Sequence, residues 1–500
     1  MSAQALEIVR SGLAGRRAWL VGGAVRDRLL GRPVADLDVV LDGDPGEGAR
    51  AIAQAAKSAG TPAACFALSE KFGAWRVVAL ADRRSPRSTI GGAWQVDVEA
   101  MRGDSLEADL RLRDFTLNAI AESLAGGEPI DPLGGLDDLH AGRLRMAGPD
   151  AFKDDPLRVL RLVRVAVELG LEPEIEAIVA ARVQVPRLER VSPERVFLEL
   201  QRIVASAQAL RGLELMSELG ATRVVLPELE AMRGVEQSRF HHRDVYGHTL
   251  EVFERTIELT AVPSVRDSRP GSVAVSGARE PEPIAVLGEE QRALLLALLD
   301  EPLADGMTRG QALRWAALLH DAAKPATRSV RVLDRRVTFV GHDVQGAQLA
   351  QDVLGRLRAS VRLREHVAAL VRHHLRLGFL VHEPQPLARE TVYRYLQACD
   401  PVEVDVTLLS LCDRLATRGA KAEEAIAAHV ALTRRMLDAA LRWRHDGPPR
   451  PLLRGDELAR ELGIPLGPRV GELLDELAEA QYAGRVSTRE QALALMRVRR

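Results

Sequence analysis

The chain has 500 residues, 28% charged and 46% hydrophobic, which is too long for one core and ordinary for a globular protein of several domains. A formal net charge of −2 excludes a global basic field, so any nucleic-acid site must be a local patch. Cys65, Cys399 and Cys412 lie far apart with no CxxC, the first twenty residues lack an apolar signal core, and no apolar run reaches about 18 residues; the expected setting is a reducing cytoplasm without membrane contact.

Residues 1–150 alternate short strand-like runs with helical ones. RAWLVGG, ADLDVVLDG, WRVVALAD and WQVDVEA read as strands, and AVRDRLLG, after Gly22 and Gly23, reads as a helix. Aromatics are only 4% while Ala, Leu and Arg abound, so the rest is expected to be mostly helical. Over 151–235, PLRVLRLVRVAVELG places Leu157, Leu160, Val163 and Val167 at helical spacing, in a helix started by Pro156 and ended by Gly170. Pro193 opens another helix, with Ser192 as its N-cap. A second helical block covers 236–445, interrupted at 261–292 by a Pro-, Gly- and Ser-rich stretch without periodicity, read as a flexible insertion. The break HDGPPRP leads into a small amphipathic unit over 446–500. The fold class is α+β: an α/β head with a small mixed sheet, then all-α regions.

The stretch LVGGAVRDRLLGRPVADLDVVLDGD carries the first chemistry. Residues i and i+2 of a strand share a face, with Cα atoms roughly 6.5–7 Å apart, so Asp36 and Asp38 point together. Two such carboxylates can bridge hard cations about 3.5–4 Å apart, the arrangement used for in-line phosphoryl transfer. Gly22 and Gly23 allow backbone N–H groups to approach phosphate at the start of a helix. A lone DxD is usually a solvated strand face and a lone GG a turn. Here both precede DLRLRDFTLNAIA (109–121), DPLGGLDDLHAGRLR (131–145), DDPLRVLRLVR (154–164) and SPERVFLEL (192–200).

In these blocks and their order, the sequence resembles the class II tRNA nucleotidyltransferase and bacterial poly(A) polymerase family, the CCA-adding enzymes. The resemblance implies a polymerase-β-like catalytic head over 1–150, a helical neck over 151–235 and a tRNA-contacting C-terminal region over 446–500. It makes Asp36 and Asp38 the catalytic ligands of Mg²⁺. Asp97, in WQVDVEA, shares its strand face with Gln95 and Glu99 and is read as a further carboxylate. The resemblance sets Arg113 and Asp114 at the ribose and Asn118 at the nucleotide, with Gly22, Gly23, Arg26, Arg161 and Arg164 also in the nucleotide site. Leu112 stands where the family usually has the first of two arginines. Asp155 and Arg158 match its base-reading element. On one helix face, Asp155 would accept from the exocyclic amine of C or A and Arg158 would donate to the ring nitrogen. Uracil and guanine would leave those groups unpaired. A plain i,i+3 salt bridge is the commonest fate of DxxR outside such surroundings.

A second constellation lies in 236–445. His248, the pair His320-Asp321 and Asp413 sit in apolar helical runs, which suits ligands projecting into a bundle core. A single buried histidine is usually just a hydrogen-bonded core residue. The H…HD…D order resembles the HD metal-dependent phosphohydrolase domain, which implies further ligands at His342 and at His373 or His374. Lys324 completes an HDxxK pattern suited to a phosphate oxygen. Imidazoles with carboxylates fit Mn, Ni, Co or Fe. The terminal Arg497 to Arg500 read either as a phosphate contact or as a frayed basic tail.

Taken together, these readings expect a template-independent enzyme adding C, A or CCA to tRNA 3′ ends from CTP and ATP, with hydrolysis at the HD site an added capacity. Partial addition of CC or A, and poly(A) synthesis, share the head motifs. The loop that helps separate them in the family falls at ADRRSPRSTIGGAW (81–94), which does not resemble the family's pattern. The rival from another class is an HD phosphohydrolase with a nucleotide-sensing head. Oligomeric state is left unassigned.

Overall fold

The structure, a computed structural model, describes residues 3–34, 36–69, 73–79, 94–237, 241–260, 289–419 and 422–499. These form two compact units, one of residues 1–191 with 215–221 and one of 192–214 with 222–500.

In the first unit, helix α1 (Ala3–Gly12) is followed by β1 (Ala18–Val21), α2 (Gly23–Leu29), β2 (Asp36–Leu41), α3 (Pro45–Ser58), β3 (Ala63–Ser69), β4 (Ala74–Ala79), β5 (Gln95–Ala100), α4 (Leu106–Arg111) and β6 (Ala121–Ser123). The strands make one mixed sheet in the order β3-β4-β5-β2-β1-β6, with β2 and β5 parallel and the other pairs antiparallel. All four expected strands are present; β3 and β6 were not anticipated. Asp44 starts α3 by accepting from the N–H of Gly46 at 2.7 Å, with Pro45 in the first turn. A Cβ on Gly48 would stand 2.7 Å from Leu41 Cδ2, so glycine lets α3 lie close on the sheet. That face is sealed by Leu13, Leu20, Leu41, Ile52, Val96 and Val98.

The opposite face decides where chemistry can occur. Asp36, Asp38 and Val40 alternate onto it, and Val40 is wholly buried with Trp19, Val21, Leu110, Ala119 and Ala121. Towards the start of β2 the cover ends, leaving Asp38 half-buried and Asp36 exposed. The hydrophobic cap thus stops where the carboxylates begin. Helix α5 (Gly135–His140) packs so tightly here that a Cβ on Gly135 would lie 2.2 Å from the Thr116 carbonyl oxygen.

The chain then passes through α6 (Ala151–Asp154) to α7 (Arg158–Leu169), which ends at Gly170 in the left-handed conformation, as expected. Helix α7 begins at Arg158 and not at Pro156. Pro156 and Leu157 form a tight turn whose first bond runs from Arg158 N to Asp155 O, 3.0 Å.

In the second unit, Pro193–Ala205 is helical with Ser192 at the N-cap position, but the Ser192 side chain makes no capping hydrogen bond. The main bundle comprises helices Val245–Thr260, Arg309–Leu319, His342–Arg356, Val361–His373, Glu403–Ala416 and Ala422–Asp446. Thr308 and Gln311 form a capping box at the second of these. Arg309 clamps that helix to Glu403–Ala416 through the fully buried Asp405, at 2.8 Å. Arg314 caps the end of Pro193–Ala205 by donating to the carbonyls of Val204, Ala205 and Ser206 at 2.8–3.0 Å. Of the expected insertion, 261–288 lies outside the described residues, whereas 289–292 open the helix Glu289–Leu299. A three-helix unit over 455–499 has its own core of Leu458, Leu473, Leu477 and Met496. Arg497 and Arg499 lie in its last helix, beside Glu461 and Glu476, so they are not a frayed tail; Arg500 lies outside the described residues. Among the described residues no helix is long and apolar enough to cross a membrane.

Candidate active site and metal centre

Parallel pairing of β2 with β5 sets Asp97 opposite Asp38, and antiparallel pairing sets Val21 opposite Asp38. The turn after β1 therefore meets the carboxylates. Gly22 has φ 71°, and a Cβ there would stand 3.3 Å from both Asp38 Oδ2 and Arg113 Nη1, so glycine is required for conformation and for space. Burial, together with the charges of Asp97, Glu99 and Asp36, pushes the Asp38 carboxyl up to about 6 against the opposing pull of Arg113. A half-buried carboxylate crowded by three others is a donor set for a hard divalent cation, so the residues present fit the implied metal. Arg76, which sequence reasoning missed, braces Asp97 with two bonds of 2.7 and 2.8 Å. Its place on β4 opposite Asp97 was legible only once the register was known.

Arg113 is fixed by the fully buried Asp109, at 3.2 Å, which also accepts from Arg102 Nε at 3.0 Å. Asp114 is buried and accepts from Phe115 N, Asn118 Nδ2 and Arg161 Nη1 at 2.8, 2.9 and 3.2 Å. Burial alone would raise its carboxyl, but the charge of Arg161, the Asn118 bond and the charge of Arg158 hold it at about 2. Arg26 donates to Asn118 Oδ1 at 2.7 Å and to Asp27 at 2.8 Å, so it orients Asn118 from a buried position. Gly23 borders the Arg26 guanidinium, 3.4 Å from a Cβ placed there.

Two expectations change. Asp155 lies in extended backbone at the end of α6 while Arg158 opens α7, so the pair does not share a helix face. Arg158 donates instead to the carbonyls of Leu112, Arg113 and Ala151 at 2.9–3.3 Å, and Asp155 accepts from Leu157 N at 3.2 Å. The Pro156 turn breaks the helical phase that DxxR reasoning assumed. Arg164 is buried and bonded to Glu168 at 2.9 Å, one turn along α7. Most of the loop 81–94 lies outside the described residues.

In the second unit the HD residues converge. His248, His320 and Asp413 form one group of three, and Asp321, His342 and His374 a second, with ligand atoms within 4.8 Å of one another in each. Asp321 joins them: its Oδ2 is 3.2 Å from His320 Nε2 and its Oδ1 is 3.4 Å from His342 Nε2. His320, His342 and His374 each place Nδ1 against a backbone carbonyl, of Ala317, Phe339 and Val371, at 2.7–2.9 Å. That bond sets the tautomer and turns each Nε2 lone pair toward the centre. Burial holds the His374 imidazole at about 4, neutral as a ligand must be. His248 Nε2, His320 Nε2 and both Asp321 oxygens are buried with no hydrogen bond of proper geometry among the described residues. Orphaned donors converging in this way fit divalent metal.

Of the two histidines left open, His374 is in the cluster and His373 is not; His373 accepts from Arg376 Nε at 2.8 Å. His374 continues the buried stripe Leu363, Val367, Leu370 by helical steps, and that phase was the available signal. Lys324 is buried, with Nζ 2.7 Å from both Asp321 Oδ2 and Gln237 Oε1. It therefore supports Asp321 and does not project into open space. His241, also missed, stands edge-on to His248 at 4.9 Å.

These features define a class: a nucleotidyltransferase head continued by a helical HD domain. Family models agree, matching the poly A polymerase head domain over 18–145, the probable RNA and SrmB-binding site of polymerase A over 170–233, and the HD domain over 292–418. The chain is 36% identical over 484 residues to the A-adding tRNA nucleotidyltransferase of Deinococcus radiodurans, covering 96% of this chain and 94% of that one. It is 31% identical over 488 residues to the CC-adding tRNA nucleotidyltransferase of Thermus thermophilus, covering 96% and 93%. The Thermotoga maritima CCA-adding enzyme complexed with tRNA shares the fold, with TM-score 0.58, 18% identity and coverage of 100% and 96%. The chain belongs to the tRNA nucleotidyltransferase and poly(A) polymerase family, whose head and HD domains use divalent metals.

Proposed function

We propose that this enzyme adds C, A or both to the 3′ end of tRNA, using CTP and ATP without a nucleic-acid template. The observation that carries the reading is the meeting of Asp36 and Asp38 with Gly22 and Arg113 at the uncovered end of the sheet. The 3′ hydroxyl of tRNA attacks the α-phosphorus; a new P–O bond forms, the bond to the β-phosphate breaks, and pyrophosphate leaves. Asp36 and Asp38 would hold Mg²⁺, which when bound supplies charge neutralisation and lowers the pKa of the attacking hydroxyl. Gly22 leaves room for phosphate beside Asp38, and Arg113 offers its cation there. Asp114, kept ionised by Arg161 and Asn118, faces the ribose as an acceptor. Arg158 positions the Leu112–Arg113 segment by its bonds to those carbonyls. In the second unit the two ligand groups support a transition-metal phosphohydrolase, with Mn, Ni, Co or Fe suited to its histidines. Free Cys65, Cys399 and Cys412 support a reducing, cytoplasmic setting.

The test offers tRNA transcripts ending before CCA, after C and after CC, with CTP and ATP given separately. Sequenced products carrying added C or A are the expected result, and the transcript extended identifies full or partial addition. No extension of any of the three overturns the reading.

A further inference from the structure

Helix α8 (Ile175–Gln184), in the first unit, is apolar on two sides, and its apolar residues are distributed against size. Ala177 and Ala181 turn inward and are buried, whereas Ile175, Val179 and Val183 are 66%, 54% and 68% exposed. These three stand at i, i+4 and i+8, so they form a ridge along a single face. Isoleucine and valine are weaker helix formers than the alanines beside them, so helix stability does not account for their place on a solvent face. Exposed apolar residues scattered singly are ordinary, but an aligned row of them on one short helix marks a surface that another molecule covers.

Charge divides the two ends of this ridge. Exposed Glu172 and Glu176 stand at its N-terminal end. Exposed Arg182 and Arg190 stand at its C-terminal end, the second of them in the turn Val185–Arg190 that follows. A second α8 laid antiparallel about a two-fold axis at Val179 brings Ile175 level with Val183 of the second copy. The same operation brings Glu176 level with Arg182 of the second copy, and the acidic end of each helix covers the basic end of the other. The helix dipoles then oppose favourably, whereas parallel pairing would set like charges together. The ridge carries no aromatic ring or cation, and its acidic end repels phosphate, so the face does not suit RNA.

We propose that the exposed face of α8 is a homodimer contact whose occupant is a second copy of this chain, paired antiparallel about Val179. Three apolar side chains per copy fall short of the roughly 800 Å² per partner of a standard interface, so the association is weak, with Kd on the order of 10 µM.

Sedimentation equilibrium of the full chain without RNA, from about 1 to about 100 µM, brackets that Kd and reads the monomer–dimer balance. The wild type is expected to pass from monomer to dimer across the range. Val179→Glu should weaken self-association at least tenfold, and Val179→Leu, which keeps the apolar ridge, should retain it. Glu176→Arg should weaken it about fivefold, since each dimer holds two such pairs. Glu176→Arg combined with Arg182→Glu should restore it, because both ends reverse together. A wild type that stays monomeric throughout, a dimer unmoved by Val179→Glu, or a double swap no tighter than Glu176→Arg alone overturns the proposal. Filter retention of tRNA is measured on the same variants. Loss of tRNA affinity in Val179→Glu with unchanged sedimentation would assign the face to RNA and overturn the proposal as well.

Discussion

The choice of His374 over His373 as a metal ligand can be tested side by side. His374 is 1% exposed, and its Nε2 lies 3.3 Å from His342 Nε2. His374→Ala removes one of three donors from the group it shares with Asp321 and His342. Loss of a group that merely supports a ligand typically costs 10–100-fold in metal affinity, so losing the ligand itself should cost at least about 100-fold. At 1.4 kcal/mol per tenfold, that is about 2.8 kcal/mol of binding free energy. The Val371 carbonyl also loses its donor, which destabilises the fold by about 1–3 kcal/mol, so metal affinity must be read separately from unfolding. His373→Ala deletes one exposed hydrogen bond to Arg376, about 1 kcal/mol at most, and no ligand. The assay is titration of the chelated chain with Ni²⁺, reading stoichiometry and affinity per chain. One strong site should be lost in His374→Ala and retained in His373→Ala. Equal loss in both, or loss only in His373→Ala, refutes the assignment.

Three further outcomes follow from buried contacts. Gly135→Ala drives a Cβ to 2.2 Å from backbone and should destabilise the head by about 3 kcal/mol, measured as the denaturant midpoint of the head transition. Glu403 is 1% exposed, and burial, together with Asp400 and Asp405, raises its carboxyl to about 7. The folded state therefore holds a proton that the unfolded state releases near 4.5, so stability is full below that pH and falls as pH rises to 7. Glu403→Gln should flatten that fall and stabilise the second unit by about 2–3 kcal/mol at pH 8; an unchanged pH profile of melting refutes it. Arg158→Lys loses the forked bonds to Leu112, Arg113 and Ala151, so C and A addition should drop together by about tenfold, 1.4 kcal/mol. A shift in C-against-A preference would instead mean direct base reading.

The sequence made the head unusually legible because its signals are local. Alternation located β1, β2, β4 and β5, and the DxD phase put both aspartates on one face. What it could not supply was register. Asp97 faces Asp38 only through the parallel β2–β5 pairing, and Arg76 finds Asp97 only across β4–β5. Strand β6 has three residues, too short for periodicity to emerge. DxxR misled because a proline turn interrupts the helix between its two ends. Helical phase, in contrast, separates His374 from His373, because His374 continues the buried stripe of its helix. The roles of Arg26 and Lys324 also needed tertiary contacts: each cation is buried beside a partner distant in sequence, Asn118 and Gln237.

The central claim is that nucleotide transfer occurs at Asp36 and Asp38. The direct measurement is extension of the three tRNA transcripts by the double variant Asp36→Ala, Asp38→Ala, alongside Ni²⁺ binding by the same preparation. Addition of both C and A should fall by about 10³-fold or more while Ni²⁺ binding in the second unit persists. Extension at the wild-type rate by a chain lacking both carboxylates would contradict the account.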